Sequence, residues 1–164
     1  MVDRGNPEAK VLFIGEAPGK NEDAEGRAFV GRSGRLLDTL MKDVAGFDTD
    51  QDGLIINVVK CRPPANRPPL PDEVEACSPY LQKQFELVKP RIVVLLGATA
   101  FRRMFPAKKK FSMREEAGKF FKDERFPAAN FIIFYHPAFI LRDPRKRPLM
   151  KRHIRQFRDF WLNS

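Results

Sequence analysis

Cysteine is scarce in this sequence: Cys61 and Cys77 are the only two among 164 residues. A disulfide-stapled secreted scaffold is excluded by that count. Long apolar runs are missing too, since none approaches the roughly 20 residues that a membrane span needs. The opening MVDRGNPEAK has neither the apolar stretch nor the cleavage site of a secretory signal. An intracellular protein is therefore expected. Neither phosphate-loop fingerprint is present, because there is no Gly-x-Gly-x-x-Gly turn and no Lys-Ser/Thr pair at a helix entry. A nucleotide- or phosphate-binding enzyme built on such a loop is thus a distant reading.

What remains is an ordinary globular composition, 43% hydrophobic and 31% charged, in a chain long enough for one self-supporting core. A single domain over residues 1–164 is expected. Its formal charge of +9 is unevenly placed. Residues 101–164 carry 17 Lys and Arg against 6 Asp and Glu, whereas the first hundred residues carry 13 against 15. Such asymmetry suits a polyanionic partner, and it also suits a surface kept basic for solubility.

Four short runs read as buried strands: Val11–Ile14, Leu54–Val59, Ile92–Leu96 and Phe131–Tyr135. Between them lie helical patterns through Leu36, Leu37, Leu40, Met41 and Val44, through Val74, Leu81, Phe85 and Val88 with a kink at Pro79, and over Ala98–Met104. A last helix places Met150, Ile154, Phe157 and Trp161 on one face. Ser33 and Asp72 are candidate N-caps. The basic stretch after His136-Pro137 reads as a loop, and Phe120-Phe121 as a minor strand. Alternation of this kind predicts an α/β fold, a three-layer α/β/α sandwich around a four-stranded parallel sheet.

The chain is organised around Gly15–Leu37, GEAPGKNEDAEGRAFVGRSGRLL. A strand, a glycine-bearing turn stiffened by Pro18, and a helix follow one another there, the place where open α/β sheets bind ligands. Four acids (Glu16, Glu22, Asp23, Glu25) and the aromatic Phe29 occupy the loop. A loop that only cradled phosphate would not carry so much negative charge. Three strand ends bear unusual residues, Glu16, Asn57 and His136, and a parallel sheet gathers those ends along one edge. Taken singly, Glu16 also suits a backbone acceptor, Asn57 a core polar group, His136 a backbone partner and Phe29 loop packing.

Three blocks together resemble family 4 uracil-DNA glycosylases. GEAPG at 15–19 with Glu22-Asp23 and GRAFVGRSGRLL resembles the first signature, NVVKCRPPANRPPLPDEVEAC at 57–77 the central block, and YHPAFILR at 135–142 the second signature. The resemblance implies a domain that excises uracil from DNA by flipping the target nucleotide into a pocket. It implies Glu16 as the residue that orients water and stabilises the sugar cation, and His136 as the donor to uracil O2. It further implies Asn57 on the N3–H and O4 edge, Phe29 stacked on the ring, Ala17 in the pocket wall and Glu22 against the 5-position. For DNA it implies Ser33 near a phosphate, Arg62 and Arg67 in the proline-rich loop, and Phe139, Leu141 and Arg142 after the histidine, with Ile140 a buried anchor instead of a wedge. The rival reading on the same fold is a module that binds uracil or abasic DNA without turnover.

Two departures qualify the resemblance. Cys61 and Cys77 match two of four ligands of the family's [4Fe–4S] cluster, and the other pair has no counterpart in the ten residues before Val11. The expectation is a protein without a cluster, a monomer acting on uracil-containing DNA. The alternatives are a cluster completed by ligands from elsewhere and, less so, a Cys61–Cys77 disulfide. Glu115-Glu116-Ala117 also precede Gly118 where the family commonly has a basic residue.

Overall fold

The computed structural model describes residues 3–17, 20–60, 62–67 and 69–164. Pro18, Gly19 and Cys61, which figure in the turn and in the cluster match, lie outside them. In chain order the elements are β1 (Arg4–Gly5), β2 (Val11–Gly15), α1 (Lys20–Glu25), α2 (Arg32–Ala45), β3 (Gly53–Asn57), α3 (Pro71–Val88), β4 (Ile92–Leu96), α4 (Gly97–Met104), α5 (Met113–Glu116), β5 (Phe120–Phe121), β6 (Asn130–Phe134), α6 (Pro137–Arg142) and α7 (Arg147–Leu162). Single 3-10 turns sit at Pro64–Asn66 and Pro144–Lys146.

The sheet order is β1-β3-β2-β4-β6-β5. The four central strands are parallel, as expected. At the two edges, β1 and β5 run antiparallel to their neighbours, so the sheet is a mixed one of six strands. Both faces are covered. Phe13, Ile55, Val94 and Ile132 pack beneath α2, α6 and α7, while Leu12, Ile14, Ile56, Val93, Leu95 and Ile133 pack beneath α3 and α4. This is why the central strands read as continuous apolar runs instead of alternating ones.

Several helix boundaries differ from the sequence reading, each for a local reason. Helix α2 starts two residues earlier than a Ser33 cap implies: Gly31 is its N-cap and Ser33 lies in its first turn. Helix α3 is capped from Leu70, whose backbone N–H donates to Glu73 at 2.8 Å, so Asp72 is inside the helix. The helix continues through Pro79 as one element; Pro79 and Glu75, whose carbonyl Pro79 leaves without its helical donor, are both exposed residues. The stretch read as a loop after His136 begins with a six-residue helix, α6. Among the described residues no helix is long and apolar enough to cross a membrane.

Candidate active site

Strand β2 lies between β3 and β4, although β3 follows it in sequence and β4 comes later. The connection from β2 to β3 and the one from β3 to β4 therefore run in opposite directions across the sheet, a topological switch point, where open α/β sheets bind ligands. Gly15 ends β2 in register with Asn57 at the end of β3. Gly15 has to be glycine: a Cβ there would lie 2.6 Å from Asn57 Oδ1 and 2.6 Å from the Phe29 ring. Asn57 is 1% exposed, and neither its Oδ1 nor its Nδ2 has a hydrogen-bond partner. Burying an unpaired amide costs about 1–3 kcal/mol per polar group, so a fold that keeps one is holding it for something else.

Phe29 closes the other side. Its φ is +55°, a left-handed conformation rarely taken by a bulky side chain. Two contacts enforce it. The buried guanidinium of Arg4 donates to the Phe29 carbonyl at 2.9 Å and is itself held by Asp38 and Thr49. Gly34 of α2 runs so close beneath that a Cβ would fall 1.7 Å from the same carbonyl oxygen. On the far side of Phe29, Glu22 accepts the backbone N–H groups of Val30 and Gly31 at 3.1 and 3.0 Å. Glu22 thus acts on the pocket through the backbone that carries its aromatic wall.

The His136 ring lies 5.8 Å from Phe29, centroid to centroid. Its Nδ1 accepts the backbone N–H of Ala138 at 3.0 Å, making the imidazole the N-cap of α6. An Nδ1 used as an acceptor carries no proton, so in the neutral ring the proton sits on Nε2 and Nε2 is a donor. Desolvation, then the nearby Arg142 charge, pushes the His136 pKa down to about 4. At neutral pH the ring is an uncharged, oriented donor.

Glu16 follows Gly15 directly. Its carboxylate accepts from Arg103 Nε of α4 at 3.3 Å, and Arg103 also donates to the Pro69 carbonyl at 3.1 Å. The sequence does not single out Arg103, and nothing local marks it: the partners are 87 residues apart. Arg103→Ala should lower any activity that depends on the placement of the Glu16 carboxylate by about ten- to a hundredfold, the scale of a slightly misplaced reacting group, with partial recovery in Arg103→Lys. Single-turnover rates check this.

The remaining expected residues are less gathered. Ala17 is partly exposed beside Glu16, and Arg62 is partly exposed in the proline-rich loop. Arg67 is engaged by both carboxylate oxygens of Glu73, so its charge is already partnered by the first turn of α3. Phe139 stacks on Tyr135 at 5.4 Å, and Leu141 packs half-buried against the core while Arg142 is exposed. Ile140 is fully buried, as an anchor would be.

His153 of α7 is a second histidine with a depressed pKa, pushed to about 4 by burial and then by Arg152. An unfolded chain titrates its histidines near 6.5. Between those values the unfolded state binds more protons, so both rings contribute stability that is complete above about pH 6.5 and is lost as the pH falls toward 4. His153→Phe should therefore lose less stability than the parent between pH 7 and pH 4.5, read from urea midpoints.

Cys77 is a free, partly buried thiol that accepts the Lys60 backbone N–H at 3.4 Å. Among the described residues no group of three His, Cys, Asp or Glu side chains comes together as a metal site. The two cysteines of these 164 residues do not supply the four thiolates of a [4Fe–4S] cluster.

An aromatic face, an unspent amide and a neutral donor at a switch point suit a flat heterocycle with a polar edge. The sequence profile of the uracil DNA glycosylase superfamily matches residues 2–161, and the chain belongs to that superfamily. It is similar to the type-4 uracil-DNA glycosylase of Sulfurisphaera tokodaii, with 41% identity over 94% of this chain and 71% of that protein. The type-4 enzyme of Thermotoga maritima is also 41% identical, over 87% of this chain and 72% of its own length. A type-5 uracil-DNA glycosylase of Thermus thermophilus is 30% identical over 80% of this chain and 66% of its own.

Proposed function

We propose that the chain hydrolyses the N-glycosidic bond of deoxyuridine in DNA, releasing uracil and leaving an abasic site, with the target nucleotide drawn out of the stack. The observation that carries this is Asn57, a buried amide with no partner of its own. Uracil offers an N3–H donor beside an O4 acceptor, which Oδ1 and Nδ2 match as acceptor and donor. Phe29 provides the stacking face, and His136 Nε2–H the donor to O2.

The chemistry follows from those placements. As the bond from C1′ to N1 lengthens, negative charge spreads onto the uracil ring and O2, and positive charge onto the sugar. A fixed neutral donor at O2 stabilises the leaving base without the reorganisation that water would need. Glu16, held by Arg103, sets the attacking water and offsets the sugar's positive charge. The water oxygen bonds to C1′, its proton passes to the carboxylate or to solvent, and uracil departs as the anion that His136 holds.

Strand cleavage after alkali tests this on matched oligonucleotides carrying uracil, thymine or cytosine at one position. Cleavage confined to uracil is the expected result. Tight binding of the uracil strand without cleavage would instead make the chain a recognition module, and cleavage at thymine or cytosine would remove the assigned pocket chemistry.

A further inference from the structure

A cavity of about 640 Å³ is lined by Tyr135, Phe139 and His153 and takes no part in the chemistry above. Its floor is aromatic. Tyr135, the residue before His136, stacks on Phe139 at 5.4 Å and on His153 at 5.8 Å, with interplanar angles of 20° and 10°. Arg114, Lys146 and Arg152 stand at its rim, each exposed, and no acidic residue lines it. Among the described residues none of these three cations forms an ion pair, although Asp143, itself bridged to Arg145, feels the Lys146 charge. His153 is 4% exposed, and its Nδ1 is buried without a partner.

We propose that this cavity is a second nucleotide subsite for the DNA strand: a phosphate next to the target lies among Arg114, Lys146 and Arg152, and the adjoining sugar and base lie against Tyr135. The inference rests on the glycosylase reading and names where the strand goes beyond the flipped base. Three features favour DNA over a small anion. The cations come from three separate elements, α5, the 3-10 turn before α7, and α7 itself, so they converge by tertiary folding instead of following one another on one helix face. They surround a stacking surface, the pairing of charge and aromatic ring that single-strand sites use. The site also begins one residue from His136, within reach of nucleotides that flank the target. A neutral His153, kept so by burial, presents its ring to Tyr135 without adding charge to the floor.

The test uses an oligonucleotide with a single 2′-fluoro-deoxyuridine, whose fluorine disfavours the sugar cation and keeps the strand intact. Methylphosphonate linkages replace the flanking phosphates one at a time, and binding is read by fluorescence anisotropy across a salt series. The full chain should lose about tenfold in affinity at one flanking position. Lys146→Gln/Arg152→Gln should bind the unmodified strand more weakly, with a salt slope reduced by about 0.7 for each single-strand phosphate no longer neutralised. It should also be indifferent to the neutral linkage at that same position, the coupling expected of groups that touch. Tyr135→Leu should weaken binding while leaving the salt slope unchanged.

Equal losses in parent and double variant, or a parent insensitive at every flanking phosphate, would overturn the subsite. Excision is read separately on plain deoxyuridine. A protein that shows the positional loss but releases no uracil would refute the glycosylase reading and keep the subsite, and the converse would do the opposite.

Discussion

Asn57→Asp should cut the preference for uracil over cytosine by at least about 100-fold. Sites that hydrogen-bond a polar edge reject its mismatch by about 10⁴–10⁵, because the mismatch leaves buried groups unpaired. Asn57 is the group proposed to enforce this, being 1% exposed with both amide atoms unspent. Its Oδ1 lies on the Gly15 side, so the amide offers an acceptor and a donor in fixed places. Cytosine presents an N3 acceptor and an N4–H₂ donor, the inverse of uracil. A carboxyl group in the same buried place is pushed toward its protonated form, and the protonated form offers an O–H to N3 and a C=O to the amine. Uracil excision should fall while cytosine excision appears. Rates on paired oligonucleotides that differ only in that base decide it. An unchanged ratio would take Asn57 out of recognition.

His136→Ala should lower the single-turnover rate by about 10²–10³, the scale of losing one preorganised donor to a developing anion. The ring is not replaceable by a charged one. Nδ1 already accepts the Ala138 N–H, so a second proton would end that bond and uncap α6. With the pKa held down to about 4, the parent enzyme should show no His136 inflection near pH 6.5, where an ordinary histidine titrates. Loss through this group begins only as the pH approaches 4. Single-turnover rates between pH 5 and 8 test it. A step centred near 6.5 that vanishes in His136→Ala would contradict the neutral-donor role.

The four parallel strands are legible in the amino-acid sequence as short apolar, β-branched runs because both faces of the sheet are covered. Asn57 and His136 stand out because each interrupts or ends such a run. The elements that are not legible depend on distant partners. Two-residue β1 is a strand only because Arg4 and Gly5 lie opposite Ile55 and Leu54. Helix α2 is entered through Val30 and Gly31, whose N–H groups are held by Glu22, eight and nine residues upstream. The grip on Glu16 needs Arg103 from the other side of the sheet's C-terminal edge. The left-handed Phe29 is set by Arg4 and by the approach of Gly34, and no local pattern announces it. Helix α6 does carry a readable signal that a loop assignment overlooks: Pro137 at its first position suits a helix start.

The proposed site therefore rests on a division between residues assigned to the base and residues that hold them. Asn57 and Phe29 border Gly15 and His136 stands beside Phe29, while Arg4, Glu22, Gly34 and Arg103 fix the aromatic wall and the Glu16 carboxylate. Disturbing the first set should alter base choice or bond breaking. Disturbing the second should lower rate while leaving base choice in place.

Mass spectrometry of both products from one uracil-containing strand tests the central claim most directly. The account predicts free uracil in amounts equal to a strand that is uncut but lacks that base, formed by the parent chain and formed about 10²–10³ times more slowly by His136→Ala. An unaltered strand, or a strand already broken without free uracil, would contradict it.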